Sequence, residues 1–151
     1  MAAFEETFQV SWAHLDGNGH MANTSYMLLA IDCRFHYFAS TGFTPAEFAR
    51  HRVGPVVRNE SLDYFRELHL LQKVRVNLRC SGLAPDGSRF RLVNEFFDDG
   101  GTLAARVTSV GGWFELASRK LVAPPPVLDA AVKALERTDD FEELRSSLRG
   151  A

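Results

Sequence analysis

The chain has 151 residues, 46% of them hydrophobic and twelve of them Phe, the size of one ordinary domain with ample material for a core. Its net charge of −2 and pI near 6.2, with arginines scattered between apolar positions, give it no pull toward nucleic acid. A secretory apolar segment and a bilayer-length apolar run are both missing from the sequence, and Cys33 and Cys80 sit among apolar neighbours. The expectation is a reduced, cytoplasmic protein with no membrane partner and both thiols in the core.

From the start of the chain, residues 4–12 alternate as a strand, with Phe8, Val10 and Trp12 on one face and Thr7, Gln9 and Ser11 on the other. A loop, Asp16-Gly17-Asn18-Gly19-His20-Met21-Ala22-Asn23, leads into residues 24–40, which are apolar around most of a helix's circumference and so predict a buried helix. Thr41-Gly42 stops it, and Thr44-Pro45 begins a short second helix that ends before Gly54-Pro55. Residues 56–66 favour strand without clean alternation.

Residues 73–81 alternate without a fault, with Val74, Val76, Leu78 and Cys80 inward. Turn chemistry at residues 85–88 and 98–101 brackets a strand over 90–97, giving two consecutive hairpins. The last strand runs from Thr102 to about Val110, bends or bulges at Gly111-Gly112, and resumes through Trp113, Phe114 and Leu116; a close ligand approach is the other reading of that glycine pair. Pro124-Pro125-Pro126 then separates residues 1–123 from a tail, 124–151. There Leu128, Ala131, Val132 and Leu135 recur at helical spacing and a second short helix is expected near Thr138. The tail is expected to pack on its own domain or on a partner subunit. Segregated helices and strands indicate α+β with an antiparallel sheet.

The chemistry concentrates in the loop. A helix N-terminus leaves backbone N–H groups unpaired and carries partial positive charge, so an acyl oxygen or oxyanion can be held there while Asp16 acts beside it. A carboxylate at an apolar helix entrance would have its pKa raised by desolvation and become a better base near neutrality. The plainer reading is that Asp16 is a turn former or cap. His20 either bonds the carboxylate or the substrate, or fixes the loop; His36 and His69 read as structural. His14, Asp16 and His20 lack a recognised ligand spacing, so no metal site is expected.

The run from Val10 to Tyr26, with its Asp, following Gly, His and Asn, and Tyr at the helix opening, resembles the strand, loop and helix start of 4-hydroxybenzoyl-CoA thioesterase-like proteins. Gly54-Pro55-Val56-Val57 and Leu62-Asp63-Tyr64 resemble that family's second strand. The resemblance implies the hot-dog fold, an antiparallel sheet wrapped around a long central helix, here with a C-terminal helical extension. It implies hydrolysis of an acyl-CoA thioester without a cofactor, with Asp16 as general base or nucleophile and the Asn23 amide as oxyanion donor. It also places His20, Asn18 and Tyr26 in supporting roles, and implies a homodimer or homotetramer. Ala22 departs from the family, standing where a second Asn is common.

Binding CoA calls for cations. Lys73, Arg75 and Arg79 on one strand face, with Arg89 and Arg91 on its neighbour, could serve the phosphates, or form an ordinary solvated face; Arg75 and Arg89 are the candidate contacts. Two rival functions share the scaffold. Enoyl-CoA hydration uses an Asp and a His with four residues between them, against the three between Asp16 and His20; a non-catalytic acyl-CoA-binding module needs neither.

Overall fold

In the computed structural model, which describes residues 3–148, the alternating segments pair into one curled sheet. β1 (Phe4–Gln9) is followed by α1 (Asn23–Ser40), α2 (Pro45–His51), β2 (Val53–Tyr64), β3 (Lys73–Leu83), β4 (Arg89–Phe97) and β5 (Leu103–Glu115). The sheet order is β1-β3-β4-β5-β2, every neighbour antiparallel, and β3 buries Val74, Val76, Leu78 and Cys80 as its alternation predicts. Among the described residues β2 forms a free edge, twelve residues long and exposed over nearly its whole length.

α1 lies across the sheet and packs on β1, β3 and β5, the helix-in-sheet arrangement expected from the resemblance. Tyr26, Ala30, Cys33 and Tyr37, at i, i+4, i+7 and i+11, form its buried stripe. The helix is not sheathed all round, as its composition suggested: Leu28 is 63% exposed on the opposite side. It ends at Thr41, with Gly42 at φ 95°, and Thr44 caps α2 by accepting the Glu47 N–H ahead of Pro45. Cys33 and Cys80 are buried free thiols, and burial pushes Cys33 up to about 12, which suits a core residue and not a nucleophile.

Three expectations are corrected. The first strand stops at Gln9, because the chain turns away once Val10 has bonded to Leu71 and Gln72; Trp12 falls in a 3₁₀ turn (Trp12–His14) and is 80% exposed. β5 runs unbroken through Gly111 and Gly112, and the register shift lies opposite, on β2 between Val57 and Asn59. The glycines are demanded by neighbouring backbone, since a Cβ on Gly111 would sit 2.1 Å from the Val56 oxygen.

The tail gives the third. A short β6 (Lys120–Val122) folds back to pair antiparallel with the end of β5, then α3 (Pro126–Lys133) buries Leu128, Ala131 and Val132 in the main core, followed by Leu135. Tyr37 Oη donates to the Ala131 carbonyl at 2.5 Å. The expected second helix is a strand, β7 (Arg137–Glu143), parallel to β3. Past the end of β1 the edge of β3 has unmatched polar backbone, and this segment supplies it: Cys80 N–H donates to Glu136 O and Leu144 N–H to Leu83 O. That demand outweighs the acidic residues that favoured a helix start.

Candidate functional site

The loop folds as a tight hairpin whose ends, Leu15 and Met21, face each other. Asp16 N–H donates to His20 O and Gly19 N–H to Asp16 O, a turn that needs the positive φ of Gly19 (78°). Asp16 Oδ1 also accepts the Asn18 N–H at 2.8 Å and the His20 N–H at 3.4 Å. So one carboxylate oxygen holds the turn, as the plainer reading had it, and the other has no hydrogen-bond partner among the described residues. Asp16 is exposed in the single chain, and the shelter expected at the helix entrance is not provided by its own residues.

The hairpin returns the chain to α1 through backbone bonds and one serine hydroxyl. Met21 N–H donates to Leu68 O and Ala22 N–H to His14 O, and Ser25 Oγ also donates to His14 O. The N-cap residue is Ala22, with no side chain to accept from the first turn. The Asn23 and Thr24 N–H groups have no partner among the described residues.

A cavity of about 410 Å³ gathers Asp16, Asn18, His20, Asn23 and Tyr26, the five loop and helix candidates. Tyr26 is buried between Tyr64 and Phe96, in edge-to-face contact with both. Burial first, then the neighbouring Tyr64, Asp16 and Glu67, push its phenol up to about 12, so it remains a neutral hydrogen-bond donor. His20 Nε2 lies 3.1 Å from Glu67 Oε2, and its ring packs edge-on against His69 at 5.0 Å.

Residues 64–69 were not expected here. The end of β2 and the segment after it bring Tyr64, Phe65, Arg66 and Glu67 to the cavity wall and His69 into a backbone bridge with His20. No local signal marks them, because their role comes from a pairing across nearly fifty residues. The ligand-capable atoms of His20, Glu67 and His69 lie within 4.8 Å of one another, whereas His14 is turned away, bonded to Ser11 and packed on Phe8.

The cationic candidates do not join this cavity. Arg75 pairs with Glu5 at 2.8 Å and lies over the Phe97 ring, and Arg79 and Arg91 are paired with Glu95 and Glu142. Arg89 lines a separate cavity with Arg58 and bonds Ser147. Arg66 is the cation at the site itself.

Comparison with known proteins follows the same lines. A hypothetical protein from Staphylococcus aureus solved in complex with CoA is 22% identical, with a TM-score of 0.80 over 87% of this chain and 82% of that one. A 1,4-dihydroxy-2-naphthoyl-CoA thioesterase from Synechocystis is 20% identical, with a TM-score of 0.79 over 89% of this chain and 98% of that one. A protein from Pseudomonas aeruginosa is 25% identical, with a TM-score of 0.78 over 88% and 91%. No curated protein sequence matches. These neighbours share the hot-dog fold, and no described helix is long and apolar enough to cross a membrane. The family model of the thioesterase-like superfamily matches residues 10–132, taking in the loop, α1 and strands β2 to β6, and the chain belongs to that superfamily.

Proposed function

We propose that the protein hydrolyses an acyl-CoA thioester to the free acid and CoA. The observation that carries this reading is that Asp16 and Asn23, the latter with its first-turn amide unpaired among the described residues, line the same cavity. A thioester carbonyl placed between them has its oxygen toward the Asn23 N–H, where helix-end charge stabilises the oxyanion. Asp16 either takes a proton from the attacking water or attacks the carbonyl carbon itself. The C–S bond then breaks, the electron pair leaves on sulfur, and the thiolate is protonated; where Asp16 is the nucleophile the acyl group is left on its carboxylate as a mixed anhydride, which a water hydrolyses to release the acid and restore Asp16. His20, held by Glu67, and the neutral Tyr26 phenol orient the group, and Arg66 is placed to meet a phosphate of CoA.

The working unit in this reading is at least a homodimer. The outer edge of β2 is long, exposed and without a strand partner among the described residues, an edge that soluble proteins cover, and self-pairing by two-fold symmetry would bring a second chain beside Tyr64 and over Asp16. That partner would supply the shelter the single chain lacks.

A panel of aromatic, short-chain and long-chain acyl-CoAs with thiol detection tests the proposal. Thiol release on at least one class is expected. Hydration of a crotonyl-type substrate without thiol release would replace it by the hydratase reading, and tight binding with no turnover on any thioester by the binding-module reading.

A further inference from the structure

Arg34, on the fourth turn of α1, is a buried cation with no ion pair among the described residues. It is 7% exposed; Nε donates to Asn94 Oδ1 at 2.9 Å and Nη2 to Ser109 Oγ at 2.8 Å, both neutral partners. Asn94 is itself fixed by donating Nδ2 to the Asn77 carbonyl. The sheet arginines Arg79, Arg91 and Arg106 each meet a carboxylate, whereas the buried Arg34 meets none among the described residues. Burial lowers its pKa, with Glu60 acting the other way from a distance. A guanidinium removed from water and matched only by neutral groups is costly to keep.

Its third nitrogen has a different outlook. Nη1 makes no hydrogen bond among the described residues and is not among the fully enclosed polar atoms, and Arg34 lines an adjoining cavity. That cavity, about 200 Å³, is walled by Ile31, Phe38, Val57, Phe90 and Trp113, with Glu60 at its edge. An apolar chamber with one anchored guanidinium edge suits an apolar chain that ends in an acceptor oxygen.

The chamber is in line with the catalytic end. Asn23, Met27 and Arg34 stand at i, i+4 and i+11, on one face of α1. Eleven residues advance roughly 16 Å, and the backward lean of helical side chains returns about 5 Å of it, leaving on the order of 10 Å, the reach of an acyl chain of about eight carbons. On β2, Tyr64 at the first cavity and Glu60 at the second are four residues apart on one face, roughly 13 Å. Half-buried Met27 and Leu62 stand between, and Met is a side chain that yields readily.

We propose that Arg34 determines specificity by receiving a carboxylate at the far end of a medium-length acyl group, so that the preferred substrate is the mono-CoA thioester of a dicarboxylic acid. The proposal rests on the thioesterase reading above. Its test is the ratio of kcat/KM for suberyl-CoA to that for octanoyl-CoA, two eight-carbon thioesters that differ at the distal end. The wild-type ratio is expected to be about ten to a hundred, the range of a charge-assisted hydrogen bond. Arg34→Met should bring it to about one or below, and Arg34→Lys should recover part of it. Glu60→Gln should raise it by removing a competing carboxylate, and remains informative if the Arg34 variants do not fold. A wild-type ratio of one or less, or a ratio unchanged or lowered in Glu60→Gln, overturns the proposal and leaves the thioesterase reading intact. Absence of thiol release from every thioester in the panel overturns both.

Discussion

Replacing Asp16 by Asn separates its two roles. Oδ1 accepts two backbone N–H groups, and an amide oxygen can do the same, so the turn should survive with a stability change within about 0.5 kcal/mol. The amide cannot take a proton or form the acyl intermediate, and loss of a positioned base costs roughly 10²–10⁴ in rate, about 3–5.5 kcal/mol of barrier. Asp16→Ala loses both functions and should also give up about 0.5–1.5 kcal/mol of turn stabilisation, seen as a fall of a few degrees in Tm. The assay is thiol release under saturating substrate, run beside thermal unfolding of both variants. In Asp16→Asn, kcat should fall with KM little changed, as for a group acting in the transition state. Turnover within about threefold of wild type, with the fold intact, would refute the assignment of this carboxylate.

Other outcomes follow from the packing. Because burial holds the Tyr26 proton to about pH 12 against an ordinary value of 10.0, the folded state keeps a proton that the unfolded chain releases. Its contribution to stability is thus full below pH 10 and falls as pH rises toward 12; denaturant unfolding across that window should show a smaller loss in Tyr26→Phe than in wild type. Gly111→Ala would drive a Cβ into the Val56 carbonyl and should cost about 3 kcal/mol or more, read as loss of soluble protein or a large drop in Tm. Leu135→Ala, at a fully buried position where the tail meets the core, should cost about 2–5 kcal/mol by denaturant unfolding. Added Zn²⁺ should inhibit by tying His20 to Glu67 and His69, with activity restored by chelator and inhibition weakened in His69→Ala.

The amino-acid sequence by itself determined the features whose causes lie within a few residues. Thr41-Gly42 and Thr44-Pro45 set the end of one helix and the start of the next, and the alternation of residues 73–81 chose the inward face of β3. The loop was equally legible, since Asp16, Gly19 and Ala22 act on backbone groups at most four residues away or on the helix they precede. Tertiary structure decided what depends on distant partners. An acidic stretch at Thr138 became β7 because the edge of β3 had unmatched backbone, and Gly111-Gly112 answer to the backbone of β2 and β4, not to a bend of their own. Glu67 and His69 reach His20 only through the bridge between the two loops, and Arg34 gains its meaning from Asn94 and Ser109, sixty and seventy-five residues on. Periodicity and capping are local forces and leave a local record; strand pairing and the burial of a charge are settled by whichever distant residues the fold brings alongside.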